Sequence, residues 1–123
     1  MTNRDDIGPV ADLDVWQRSM DLVTEVYRLV EQLPARERFG LAEQVRRAVA
    51  SIPANIAEGN ARAHRREYVQ FLAIARGSLA ETSTHIEVAR RVGYWSEADL
   101  EIAVDLVRRI RQMLNRLIAS LSP

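Results

Sequence analysis

The sequence predicts an all-α protein, an antiparallel up-down-up-down four-helix bundle with its second helix bent at Pro53. Three observations carry this. Four successive segments space their apolar residues by three and four, the period of a helix with one buried face. Only five glycines and four prolines occur in 123 residues, and they leave no linker long enough to separate domains. No stretch alternates apolar and polar residues as a half-buried strand does. A chain of this length fits one domain, so residues 1–123 are read as a single bundle, with 1–11 as a flexible N-terminal tail.

The first helix is expected over about residues 13 to 33. Leu13, Trp16, Met20, Val23, Tyr27 and Val30 fall on one stripe, Asp12 offers an N-cap, and Pro34 closes the segment. The second runs from about Arg38 through Leu41, Val45, Ala48, Ile52 and Ile56. Pro53 lies inside it, removing one hydrogen bond and crowding the carbonyl of Val49, so a bend is expected while the apolar phase continues; Gly59 offers a stop.

The third helix is expected from about His64 to Arg91, with Leu72, Ala75, Leu79, Thr82, Ile86 and Ala89 inward. Gly77 in its middle costs about 1 kcal/mol relative to alanine, a cost that close approach of a neighbouring helix would explain. Gly93 ends the helix, and Ser96-Glu-Ala-Asp99 reads as a capping box for the next. The fourth, about residues 97 to 121, has the cleanest seam: Leu100, Ala103, Val107, Ile110, Leu114, Leu117 and Leu121.

Composition narrows the function classes. Apolar residues make up 47% and charged residues 28%, a globular balance, and no run approaches the roughly 20 uncharged apolar residues of a membrane span. There is no cysteine, hence no disulfide, thiolate nucleophile or cysteine metal site. No secretory h-region appears, so the expected location is cytoplasmic. A di-iron bundle needs Glu-x-x-His pairs, and neither His64 nor His85 has a carboxylate three residues before it. Glu81 and His85, four apart, make an incomplete metal site and read as a surface hydrogen bond. No two of the 17 acids are three residues apart, the spacing that all-helical nucleotide hydrolases use for magnesium. Neither a phosphate loop nor a nucleophile elbow is present. No catalytic residue, metal or cofactor is assigned, and an enzyme is not expected.

All 17 basic residues are arginine, balanced by 7 Asp and 10 Glu to a formal net charge of zero. Arginine-rich codon usage accounts for the missing lysine; bidentate contacts to carboxylate or phosphate are the functional alternative. Five acid-first pairs at i,i+4 suit solvated helix faces: Asp14–Arg18, Glu43–Arg47, Glu58–Arg62, Glu87–Arg91 and Asp105–Arg109. The distribution is uneven, however. Residues 1–35 hold seven acids and three arginines, whereas residues 36–66 hold seven arginines and three acids. Arg62, Arg65 and Arg66 gather at the turn into the third helix, and Arg108 and Arg111 lie with Arg109 on the fourth. Such patches either grip phosphates of RNA or DNA or meet acidic segments of the chain or a neighbouring subunit.

The run Gln44-Val-Arg-Arg-Ala-Val-Ala-Ser-Ile-Pro-Ala-Asn-Ile-Ala-Glu-Gly59, continued by Tyr68-Val-Gln-Phe-Leu-Ala-Ile-Ala-Arg-Gly-Ser-Leu-Ala-Glu81, closely resembles the four-helix-bundle proteins encoded in intervening sequences of bacterial 23S rRNA genes, often labelled S23. The likeness extends from Leu13-Asp-Val-Trp16 through Gly93-Tyr-Trp95 to the final helix. It implies a homopentameric ring without known enzymatic activity. The chain is also similar to accessory variability proteins of diversity-generating retroelements, which implies nucleic acid and a reverse transcriptase as partners. Arg46, Arg47, Ser51, Pro53, Asn55, Glu58, Gly59, Gly77, Ser78 and Glu81 match the signature. Their expected role is structural, with Glu58 or Glu81 as buried carboxylates paired with Arg47 or Asn55. Two departures stand out: His64 replaces the usual serine or threonine cap of the third helix, and the net charge is zero rather than basic. The expected function is a nucleic-acid-associated scaffold contacting RNA or DNA through Arg62, Arg65, Arg66, Arg108 and Arg111. The alternative is a structural or protein-binding ring whose arginines form intersubunit salt bridges.

Overall fold

The computed structural model describes residues 7–122. The first six residues of the expected tail lie outside the described residues. Within them the tail does not extend to residue 11: Pro9–Asp12 forms a short 3-10 helix, and Val10 and Ala11 are buried. Proline at its first turn pre-sets φ, and burying Val10 against the bundle anchors the segment.

Four α-helices follow, α1 (Asp14–Val30), α2 (Leu41–Asn60), α3 (Arg65–Arg91) and α4 (Glu101–Leu121), with a second 3-10 turn at Ala35–Glu37. No strand occurs among the described residues. Helix α1 packs on α2 and α4, and α3 packs on the same two, so the helices follow one another around the bundle in chain order. The α1–α2 and α3–α4 connections meet at one end: the Tyr94 hydroxyl donates to Glu37 Oε2 at 2.7 Å, and Trp95 Nε1 donates to the Leu29 carbonyl at 3.1 Å.

The expected seams of α2, α3 and α4 lie in the core, with Leu41, Leu117 and Leu121 only partly buried at its margin. In α1 Val30 is buried as expected, but the rest of the seam is displaced by one residue. Val15, Ser19, Leu22, Val26 and Leu29 face inward, while Met20 and Tyr27 are 37% and 44% exposed and Trp16 and Val23 rest on the rim of the core. One residue is 100° of helical rotation, enough to turn the bulky stripe outward. Ser19 is tolerated in the core because its hydroxyl donates to the Val15 carbonyl at 2.7 Å.

The helix ends are set locally. Asp12 is not the N-cap of α1; it closes the preceding 3-10 turn, and Leu13 occupies the cap position without a side-chain bond. Helix α1 finishes at Val30, ahead of Pro34, through tightened bonds from Gln32 and Leu33 to the carbonyls of Leu29 and Val30. Helix α2 passes through buried Pro53 and ends at Asn60, so Gly59 is a helical residue rather than a stop. At the end of α3, Gly93 takes φ +88°, and Tyr94 and Gly93 donate to the carbonyls of Ala89 and Arg90, a Schellman motif. Ser96 and Asp99 exchange backbone-to-side-chain bonds as a capping box, with regular α4 beginning at Glu101.

Candidate nucleic-acid interface

Helices α3 and α4 lie side by side in opposite directions. Arg76 Nη1 donates to Asn115 Oδ1 at 3.0 Å, a shallow groove brings Arg65, Arg66, Val69 and Gln70 against Leu121 and Ser122, and another brings Ser83 and Ile86 against Arg108 and Arg111. This alignment sorts charge along the bundle axis. The half of the layer formed by residues 65–80 and 106–122 holds seven arginines and a single acid, Glu67. The other half, residues 81–91 and 97–105, holds six acids and two arginines. Clusters already visible along the sequence are thus brought together into two poles.

The structure separates the five candidate arginines into engaged and free groups. Arg62 is engaged: it pairs with Glu58 at 2.5 Å, approaches Glu67 at 3.8 Å, and lies 4.9 Å from the centroid of the Phe71 ring. Arg108 pairs with Asp105 at 2.5 Å. Arg65, Arg66 and Arg111 are exposed and form no ion pair among the described residues. They do not make one cluster. Leu121, beside Arg65 and Arg66, is ten residues from Arg111, about 15 Å along α4. Arg76 stands between these positions and was not singled out by sequence reasoning. Its signal was available, since Arg65 and Arg76 are eleven residues apart, close to three full turns on one face.

In the other pole both arginines are engaged by one acid. Glu87 receives Arg90 through two bonds and Arg91 through one, and these guanidiniums hold its carboxyl down at about 2. Glu87 in turn raises Arg90 above its ordinary value. In α1, Glu25, mostly buried, accepts both Arg28 bonds and raises Arg28 in the same way. The expected i,i+4 pairs appear at Glu43–Arg47, Glu58–Arg62, Glu87–Arg91 and Asp105–Arg109, whereas Arg18 pairs with Asp21 rather than Asp14.

The signature residues do not form the expected buried ion pairs. Glu58 and Glu81 are exposed, the first bound to Arg62 and the second 3.5 Å from His85. Arg47 is exposed and reaches only Glu43, while Arg46 forms no ion pair among the described residues. Asn55 Nδ2 donates to the Ser51 carbonyl, and Ser51 to that of Ala48, so both serve their own helix. Among the described residues, the buried polar side chains are instead Ser19, Glu25 and Thr82. The two signature glycines also exchange roles: Gly59 is crowded by Phe71 and Tyr68 of α3, whereas no atom lies within 4 Å of a Cβ built on Gly77. His64 is the N-cap residue of α3 without a side-chain cap bond.

The fold defines the class of protein as an all-α four-helix bundle. A family model described as 23S rRNA-intervening sequence protein matches residues 11–116, and the chain belongs to that family. A crystal structure described as a protein with unknown function from the S23 ribosomal protein family of Bacteroides thetaiotaomicron is similar, with a TM-score of 0.78 at 25% identity over 85% of this chain and 97% of that one. No curated protein matches. Among the described residues, no helix is long and apolar enough to cross a membrane, and no group of three or more His, Cys, Asp or Glu is placed to hold a metal.

Proposed function

We propose that the protein is a non-enzymatic, cytoplasmic scaffold that assembles as a homopentameric ring and associates with RNA or DNA through the cationic pole of α3 and α4. The carrying observation is the segregation of seven arginines from six acids along one helical layer, with Arg65, Arg66 and Arg111 left without ion pairs among the described residues. A chain of zero net charge gains no long-range attraction to a polyanion from its total charge, but a local pole supplies it. The solvated, flexible guanidiniums suit phosphate contacts without base readout. Ring assembly is supported by the outward apolar stripe of α1 and by exposed Ile102 and Val104 on α4, which the bundle leaves uncovered.

The test is a titration with structured RNA and duplex DNA at several salt concentrations. Binding is expected to weaken steeply with salt, and replacing Arg65 and Arg66 with alanine is expected to reduce the log–log slope by about 2, one unit per phosphate contact. Absence of binding at low salt overturns the reading.

A further inference from the structure

Phe39 is 81% exposed, the most exposed large apolar side chain among the described residues. It sits at the opposite end of α2 from Arg62, about 30 Å away by the length of a 20-residue helix. Arg38 lies 5.3 Å from its ring centroid, and Arg36 lies 5.8 Å from that of Tyr94. Arg38 and Arg46 share a shallow pocket of about 200 Å³ with Glu31, Pro34 and Ala42, and neither arginine forms an ion pair among the described residues. Glu37 is occupied, accepting the Tyr94 hydroxyl and the Leu41 N–H, which together hold its carboxyl below its ordinary value.

Between residues 28 and 73 Phe39 is the one strongly exposed large apolar side chain; exposed Val92, Ile102 and Val104 at the same end of the bundle belong to the α3–α4 connection and α4. Paired with the Arg38 guanidinium, which also lines the pocket it shares with Arg46, the Phe39 ring has the parts of a single-strand site: a π-face for one base and cations for the flanking phosphates. We infer that Phe39 is a stacking platform for an unpaired nucleobase, with Arg38 and Arg46 holding the adjoining phosphates. This rests on the nucleic-acid reading above and deepens it by adding a single-strand site distinct from the α3/α4 pole.

The experiment compares an unstructured oligouridylate with a duplex of equal length, using the full chain and the variants Phe39→Ala and Phe39→Trp. Phe39→Ala is expected to weaken oligouridylate binding by roughly fivefold to a hundredfold, the range seen for one lost base–aromatic stack, and to leave duplex affinity unchanged. Phe39→Trp is expected to retain affinity and to add indole fluorescence that the oligonucleotide quenches. Unchanged single-strand affinity in Phe39→Ala overturns the inference while duplex binding that depends on Arg65 and Arg66 leaves the pole standing. A fall in assembly mass on Phe39→Ala also overturns it, by assigning the ring to a protein contact. Failure of wild type to bind either probe overturns both readings.

Discussion

A Cβ placed on Gly59 would lie 2.8 Å from Cβ of Phe71, so α2 and α3 approach each other where only hydrogen fits between them. The contact is stiff. Phe71 Cβ is fixed to its backbone, and the Tyr68 carbonyl oxygen is a further 3.2 Å neighbour. Gly59→Ala therefore forces the helices apart and is expected to destabilise by about 1–3 kcal/mol despite alanine's better helix propensity. Gly77→Ala meets open space and is expected to stabilise by about 0.5–1 kcal/mol. Opposite signs in chemical denaturation check the pair; equal signs would contradict the packing.

Trp95 locks the loop end of the bundle. It is 1% exposed and donates from Nε1 to the Leu29 carbonyl, which also accepts the Gln32 N–H. Because that carbonyl keeps one partner, Trp95→Phe is expected to cost about 1–3 kcal/mol, from one lost bond and a small void. Trp95→Ala is expected to cost about 3–5 kcal/mol. Thermal unfolding of both variants gives the comparison, and equal losses would show that the bond and the void do not separate as described.

Legibility in the sequence followed how plainly each residue announces its environment. The seams of α3 and α4 were legible because every inward position is apolar or small. Helix α1 was misread by one residue because Ser19 hides the true seam behind a polar letter, while Trp16, Met20, Val23 and Tyr27 form a more apolar stripe that points out or along the rim. Both signature glycines were recognised, but a glycine's purpose depends on what another helix places beside it, and sequence carries no such distance. The arginines were visible individually. Their pole was not, since it arises from laying the start of α3 against the end of α4.

The acid side of the stability profile belongs in part to Glu87. Arg90 and Arg91 lower its carboxyl from 4.5 to about 2, so the folded state holds this proton more weakly than the unfolded chain. A depressed carboxyl contributes stability above about pH 4.5 and loses it as pH falls toward 2. The group is partly exposed, so the effect is modest and screened by salt. Glu87→Gln is expected to flatten the wild-type stability slope between these pH values, measured by denaturant titration at low ionic strength. A slope unchanged by the substitution would remove Glu87 as its source.

The displaced register of α1 leads to a test of assembly. Met20 and Tyr27 are outside the core, so acidic substitutions there spare the buried packing of the individual bundle. A copy seated on this stripe would bury both side chains, and two new carboxylates would then be desolvated in the contact. If the protein forms the proposed ring of five 14.0 kDa chains, about 70 kDa, Met20→Glu combined with Tyr27→Glu is expected to lower the solution mass toward that of a single chain. Helical content and unfolding cooperativity are expected to persist, which separates loss of assembly from loss of fold. Wild-type protein running as a 14.0 kDa monomer at micromolar concentration would refute the ring. An unaltered ring in the double variant would instead move the contact to another exposed face, where Ile102 and Val104 of α4 are the next apolar residues to replace.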